Sequence, residues 1–190
     1  TDKKGRIVHT HFGEGAYRKT ENKIRELLEM EKLDEMVTEE HEHGKVCFTP
    51  TPETYLGYGR GRLSNPGGHQ RDRLAEYQKP DPIPPDSIAL TGKFLAKPEY
   101  VESAQKGATL LLRFRSTEVN LVLRPVKKSV TVKIALDGEA LKEIKIEEPA
   151  MYKLLKSYKL VEGVLSIRTK VGNFQAYAFT FSGCKATGES

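Results

Sequence analysis

The chain has no tryptophan, and it has only two cysteines and three methionines among its 190 residues. Cys47 and Cys184 stand far apart and neither belongs to a C-x-x-C pair, so the adjacent thiols of a disulfide-exchange centre are missing from these residues. Whether the two remain free thiols or join in a long-range disulfide stays open, because spacing does not set Cα proximity. No apolar run approaches the roughly 18 to 20 residues of a membrane-spanning helix, which leaves no segment expected to contact a membrane. Gly-x-Ser-x-Gly, P-loop and His-Glu-x-x-His patterns are absent. Asp137 and Glu139 flank a turn, where carboxylates serve the backbone, and make no acid/base pair. No catalytic residue, cofactor or metal is therefore expected in this chain. Charge of one sign is also lacking, since 31 basic residues face 26 acidic ones. The basic excess lies beyond residue 99, where lysines alternate with apolar residues as on a solvated strand face, so no nucleic-acid partner is expected.

What is present divides by its period. Residues 2–15 read as a turn, a short strand over about 6–12 and a second turn, leading into a helical pattern from Tyr17 to about Met30. Tyr17, Ile24, Leu27 and Leu28 form an apolar stripe expected to dock on a sheet. One strand and one helix cannot bury both apolar faces, so residues 1–45 read as the end of a larger α/β domain, and the chain as a C-terminal portion. A weaker helical pattern continues from Glu29 to His43. Residues 46–86 are rich in Pro, Gly and Arg and form a connector in which regular structure should be sparse. Tyr55, Leu56, Tyr58, Leu63, Leu74 and Tyr77 give it enough apolar surface to be an ordered wrap.

From residue 87 to 184 the period is two. Ser87–Phe94, Ala108–Arg115, Val119–Arg124, Val130–Leu136, Leu141–Ile146, Tyr152–Leu155, Val164–Thr169 and Phe174–Phe181 read as strands. Asp137-Gly138 makes the strongest hairpin signal. The fold class expected is mainly β: an antiparallel, jelly-roll-like β-sandwich preceded by the strand–helix piece, with 185–190 as a flexible tail.

The stretch Gly13-Glu14-Gly15-Ala16-Tyr17 and the helix that follows, to Leu28, resemble the end of a thioredoxin-like domain. Thr51-Pro52-Glu53-Thr54-Tyr55-Leu56-Gly57-Tyr58-Gly59-Arg60 resembles the junction in DipZ-type thiol-disulfide interchange proteins and related redoxins. Leu90-Thr91-Gly92, Val119–Leu123, Leu136-Asp137-Gly138, Met151–Leu154 and Ala176–Phe181 extend the resemblance over nearly the whole chain. It implies a β-sandwich similar to carbohydrate-binding modules, placed after a thioredoxin-like domain whose C-x-x-C would lie upstream in a bacterial, extracytoplasmic oxidoreductase. The implied partners are that upstream domain and a protein or glycan ligand. A severed sheet edge in residues 1–45 would also invite homodimer formation.

Tyr55, Tyr58, Arg60 and Arg62 combine aromatic faces with guanidinium donors, which suits a partner's carboxylates, phosphates or sugars. The same residues could instead anchor the connector and cap carbonyls. Gly57, Gly59 and Gly61 make no dinucleotide fingerprint, since no strand precedes them and Arg62 stands where the third glycine belongs; tight turns are their expected use. A glycan-binding alternative uses Tyr100, Asn120, Tyr158 and Gln175, with Phe94 as a further ring, although the absence of tryptophan weighs against it. His9 with His11, and His41 with His43, each place two imidazoles on one side of an extended segment, but three or four convergent ligands are needed for a metal.

Overall fold

A computed structural model describes residues 4–10, 17–30, 45–47 and 49–186. The chain divides into two compact units, Thr1–Gly44 and Lys45–Ser190.

In the first unit, α1 runs from Tyr17 to Leu27, three residues shorter than its apolar spacing suggests. Glu29 adopts a left-handed conformation with φ 58°. Met30 N–H then donates to the Arg25 carbonyl and Glu29 N–H to that of Glu26, the paired bonds that close a helix C-terminus. Lys23–Glu26 and Arg25–Glu21 ion pairs line its surface. Ile24 and Leu28 stay 51% and 61% exposed, so the expected docking of the apolar stripe is not made by these residues. Of the strand expected over residues 6–12, Arg6–Thr10 carry no strand pairing, and residues 11 and 12 lie outside the described residues. The weaker helical pattern of residues 31–43 lies outside the described residues.

Among the described residues, the second unit has eleven strands. They are β1 Lys45–Cys47, β2 Thr54–Tyr55, β3 Leu74–Tyr77, β4 Ser87–Ala96, β5 Val101–Ser103, β6 Thr109–Pro125, β7 Val130–Leu136, β8 Glu139–Ile146, β9 Ala150–Val171, β10 Phe174–Ser182 and β11 Cys184–Ala186. All their ladders are antiparallel.

Two long strands tie the layers together. The first half of β6 pairs with β4 and with the end of β9, which continues to β7 and edge strand β8. The second half of β6 pairs with β10 and with the start of β9, and β10 carries β2. The pairs that the sequence suggests as separate strands, 108–115 with 119–124 and 152–155 with 164–169, are thus single strands passing from one layer to the other. They bend at irregularities after Ser116 and Val119, where a bulge adds twist without ending the strand.

β5 closes the circuit between β4 and β10. Between the layers lie Phe94, Phe114, Phe174 and Phe179 with Leu90, Leu110, Leu112 and Leu121, all essentially inaccessible. Tyr77, Phe94 and Phe174 meet edge to face at ring separations of 6.4 Å. Burying each phenyl ring contributes roughly 2 to 3 kcal/mol.

The hairpin at Asp137-Gly138 forms as its sequence suggests. Leu136 faces Glu139, and both turn residues have positive φ, 49° and 91°, as a two-residue type I′ turn requires. β8 is exposed along most of its length and carries Lys142, Glu143 and Lys145, charges that guard a sheet edge. Of the tail expected at 185–190, Lys185 and Ala186 pair with Val46 and Lys45, and residues 187–190 lie outside the described residues.

Candidate binding groove

Proline and glycine keep the connector from forming long strands, yet it is tied down throughout. Thr51 is 2% exposed. Its N–H donates to the Arg115 carbonyl, and its hydroxyl accepts from Arg115 N–H while donating to Asp86. β2 adds to β10, β3 adds to β4, and Leu63 and Arg71 form parallel bridges to Ile88 and Ala96. Regular structure is sparse, and these bonds tie the connector to β4, β6 and β10.

Asn65 is the clip at its centre. Its amide nitrogen donates to the Gln78 and Leu90 carbonyls, and its oxygen accepts from Leu90 N–H, each at 2.8 Å. One side chain thereby bonds two backbone segments that a continuous strand would have paired directly.

Between Tyr58 and Arg71 the wrap forms an open groove of about 630 Å³, lined by Tyr58, Arg60, Arg62, Leu63, His69 and Arg71 with glycine backbone. The Arg60 guanidinium lies over the Tyr55 ring, 3.5 Å from its centre, and that of Arg71 lies 5.1 Å from the centre of the Tyr58 ring. Such stacking holds a cation in place while leaving its N–H donors open. The acids nearby are taken by other donors. Tyr58 donates to Asp72 at 2.6 Å, Lys97 reaches the other Asp72 oxygen at 3.1 Å, and Tyr55 donates to Glu53 at 2.7 Å. Among the described residues no carboxylate forms an ion pair with Arg60, Arg62 or Arg71.

These contacts set the titration of the site. The bond from Tyr58 and the one from Lys97 hold Asp72 below the usual carboxylate range, and the same bond, with burial, raises the Tyr58 phenol. The bond to Glu53 raises Tyr55 in the same way. His69 is half-buried, meets Tyr58 edge-on and donates Nε2–H to the Leu56 carbonyl at 2.8 Å. Burial, chiefly, holds it below its ordinary 6.5, Arg71 adding to this against the Leu56 bond.

A pH dependence follows. As pH falls through 6.5 the unfolded chain takes up the His69 proton first, so stability declines until the folded-state value is passed. The urea midpoint of the Lys45–Ser190 unit should therefore drop between about pH 7.5 and pH 5.5, and drop less in His69→Gln. His69 is the one histidine in that unit. Equal drops in both proteins would remove His69 as the cause.

Of the residues singled out by sequence, Tyr58, Arg60 and Arg62 line one groove, and Tyr55 supports Arg60 from behind. His69 and Arg71 were not singled out. The only local sign of Arg71 is its place in Arg71-Asp72-Arg73, which says nothing of a turn that brings it back to Tyr58. The glycan set is divided. Tyr100 meets Tyr177 at 5.3 Å between ring centres, and Tyr177 donates to Gln175, which in turn donates to Glu102. Asn120 is 8% exposed and donates to Glu118. Tyr158 is 65% exposed, on the stretch of β9 between Lys156 and Val161 that β6 does not pair. Phe94 is fully buried in the core, so it offers no face to a sugar. Gly57 begins a turn that Gly61 closes, N–H to carbonyl at 2.7 Å, but neither has positive φ; close backbone approach is what demands glycine there. Of the two histidine pairs only His9 falls among described residues, donating to or accepting from Thr20 at 3.3 Å.

An antiparallel β-sandwich with a connector folded into a cationic groove on its flank is the class of module this chain represents. Residues 51–182 match the model of the thioredoxin like C-terminal domain family, and the chain belongs to that family. It is 26% identical over 184 residues to Protein DipZ of Mycobacterium bovis and, equally, to Protein DipZ of Mycobacterium tuberculosis. Those alignments take in 95% of this chain and 26% of the relatives, so the chain spans about a quarter of the length of the curated relatives it matches. Among solved structures, a family two carbohydrate esterase from Clostridium thermocellum, in complex with cellohexaose, aligns with TM-score 0.45 and 21% identity, covering 55% of this chain and 34% of that one.

Proposed function

We propose that this chain is a non-catalytic accessory module of a thioredoxin-family thiol-disulfide interchange protein, and that the groove between Tyr58 and Arg71 is where it holds an acidic protein surface. Family membership supports the context. The observation that carries the groove reading is that Arg60, Arg62 and Arg71 line one groove without a carboxylate partner among the described residues, while Asp72 and Glu53 are occupied by tyrosine and lysine. Planar guanidinium forks favour carboxylates, and the stacking on Tyr55 and Tyr58 lowers the entropy lost on binding. A contact with the upstream redox domain of the same protein would use the same chemistry.

A glutamate-rich peptide titrated into the 190-residue chain at low ionic strength tests this. Arg62→Ala combined with Arg71→Ala should weaken binding about tenfold, and added salt should weaken it further. Unchanged affinity in the double variant would overturn the groove reading. A neutral oligosaccharide that binds, and is lost in Tyr100→Ala or Tyr158→Ala but kept in Tyr58→Ala, would favour glycan targeting in its place.

A further inference from the structure

Cys47 and Cys184, 137 positions apart in the sequence, stand directly opposite one another in the β1–β11 ladder. Their neighbours confirm the register, with Val46 opposite Lys185 and Lys45 opposite Ala186. A separate set of contacts brings the same two segments together. Thr51 bonds to Arg115 through N–H and hydroxyl, while the Ser182 carbonyl accepts from the Ser116 and Thr117 hydroxyls and Ser182 pairs with Glu118. The chain thus joins the sandwich and leaves it within a few residues of one point on β6, and each cysteine lies a short step beyond that point.

We infer that Cys47 and Cys184 form a disulfide that latches the two ends of the sandwich module. Directly opposed residues of an antiparallel pair share a face and have Cα atoms about 4.5 or 5.5 Å apart. Both values fall inside the window of about 4.4 to 6.8 Å that a disulfide spans. The ladder also has need of it. β1 and β11 make three residue pairs and, among the described residues, no other strand joins their sheet; a two-stranded ribbon of that size is marginal in water without a further tie. Closing so long a loop removes much of the freedom of the unfolded chain.

The oxidant must be an exchangeable disulfide, for which glutathione disulfide serves in the test. One cysteine thiolate attacks glutathione disulfide, breaking its S–S bond, releasing one glutathione and leaving a mixed disulfide. The second cysteine thiolate attacks that mixed disulfide, forming the Cys47–Cys184 bond and releasing the second glutathione. Two cysteines are oxidised, one glutathione disulfide is reduced, and the two thiol protons pass to the two glutathiones.

Incubated with glutathione disulfide and then quenched with acid, the folded 190-residue chain should lose the mass of two hydrogen atoms and retain no glutathione. Proteolysis should yield one linked species containing Cys47 and Cys184. Cys47→Ser and Cys184→Ser should each stop at the mixed disulfide and retain one glutathione. The latched form should unfold about 5 to 15 °C above the same protein held in reductant. Retention of two glutathiones, a cross-link between two chains, or a link that forms only in denaturant would overturn the inference.

Discussion

Asn65→Asp should lower the stability of the β-sandwich unit by about 3 to 5 kcal/mol, although the two side chains have nearly the same shape. Asn65 is 5% exposed, and its amide group donates to the Gln78 and Leu90 carbonyls. A carboxylate can still accept from Leu90 N–H, but it has nothing to donate. The buried Leu90 carbonyl and the part-buried Gln78 carbonyl would then face a negative charge, and the unmet hydrogen bond at Leu90 would add to the cost of desolvating that charge. Burial raises the folded-state pKa of the new acid above its unfolded value, so the deficit should shrink as pH falls towards that raised value and one O–H donor is regained. Denaturant midpoints of the two proteins at neutral and mildly acidic pH give the comparison. A neutral-pH loss under about 1 kcal/mol would show that the clip does not hold the connector to β4.

Because Asn65 carries the connector, the groove should fail with it. Leu63, Ser64 and Asn65 fasten one side of the wrap to β4, and Arg71 and Asp72 fasten the other to Ala96. Affinity for an acidic peptide is therefore expected to fall in Asn65→Asp even though no arginine has been touched. The site depends on backbone bonds placed far from its charges.

That dependence explains which parts were legible in the sequence. Period-two alternation exposes a face to water and buries its opposite, so β4, β7 and β10 stand out residue by residue, and Asp137-Gly138 announces its own turn. β6 and β9 are legible only in halves. Ser116-Thr117 and the run from Lys156 to Gly163 look like turns, whereas in the fold they are places where a strand changes layer. β5, three residues long, has too little pattern to register, and β2 and β3 exist only because β10 and β4 offer them a ladder. The groove was half legible. Tyr55, Tyr58, Arg60 and Arg62 advertise their chemistry within eight residues, but His69 and Arg71 join them through a turn and a bridge to Ala96 that no local spacing encodes. In the same way the opposition of Cys47 and Cys184 is a property of the closed sandwich, and their separation in sequence conceals it.

Gly61→Ala and Gly57→Ala should be the most damaging small substitutions in the connector, each costing about 3 kcal/mol or more of the roughly 5 to 15 kcal/mol that a domain possesses. Neither position has positive φ, so the cost does not come from conformation; it comes from space. A Cβ on Gly61 would sit 1.9 Å from the Tyr55 carbonyl oxygen and 2.6 Å from its carbon. One on Gly57 would sit 2.2 Å from the Glu99 carbonyl carbon and 2.3 Å from the Pro98 oxygen. Both obstacles are backbone, and neither can withdraw freely. Tyr55 is held opposite Ala178 and followed by the bond from Leu56 N–H to the Tyr177 carbonyl, while Pro98 accepts from Gly59 in a turn closed by Lys97 and Tyr100. Gly68→Ala supplies the control. Gly68 has φ +60° with nothing within 4 Å of its would-be Cβ, so alanine there should cost only about 1 kcal/mol, the penalty of a left-handed conformation. Urea denaturation of the three variants separates the two causes, since the first two should fall well below the third. Gly61→Ala should in addition lose acidic-peptide affinity, because the turn it closes carries Arg60 and leads straight into Arg62. If all three variants lose the same small amount, close packing of the turn on Tyr55 and Glu99 is not what shapes the groove.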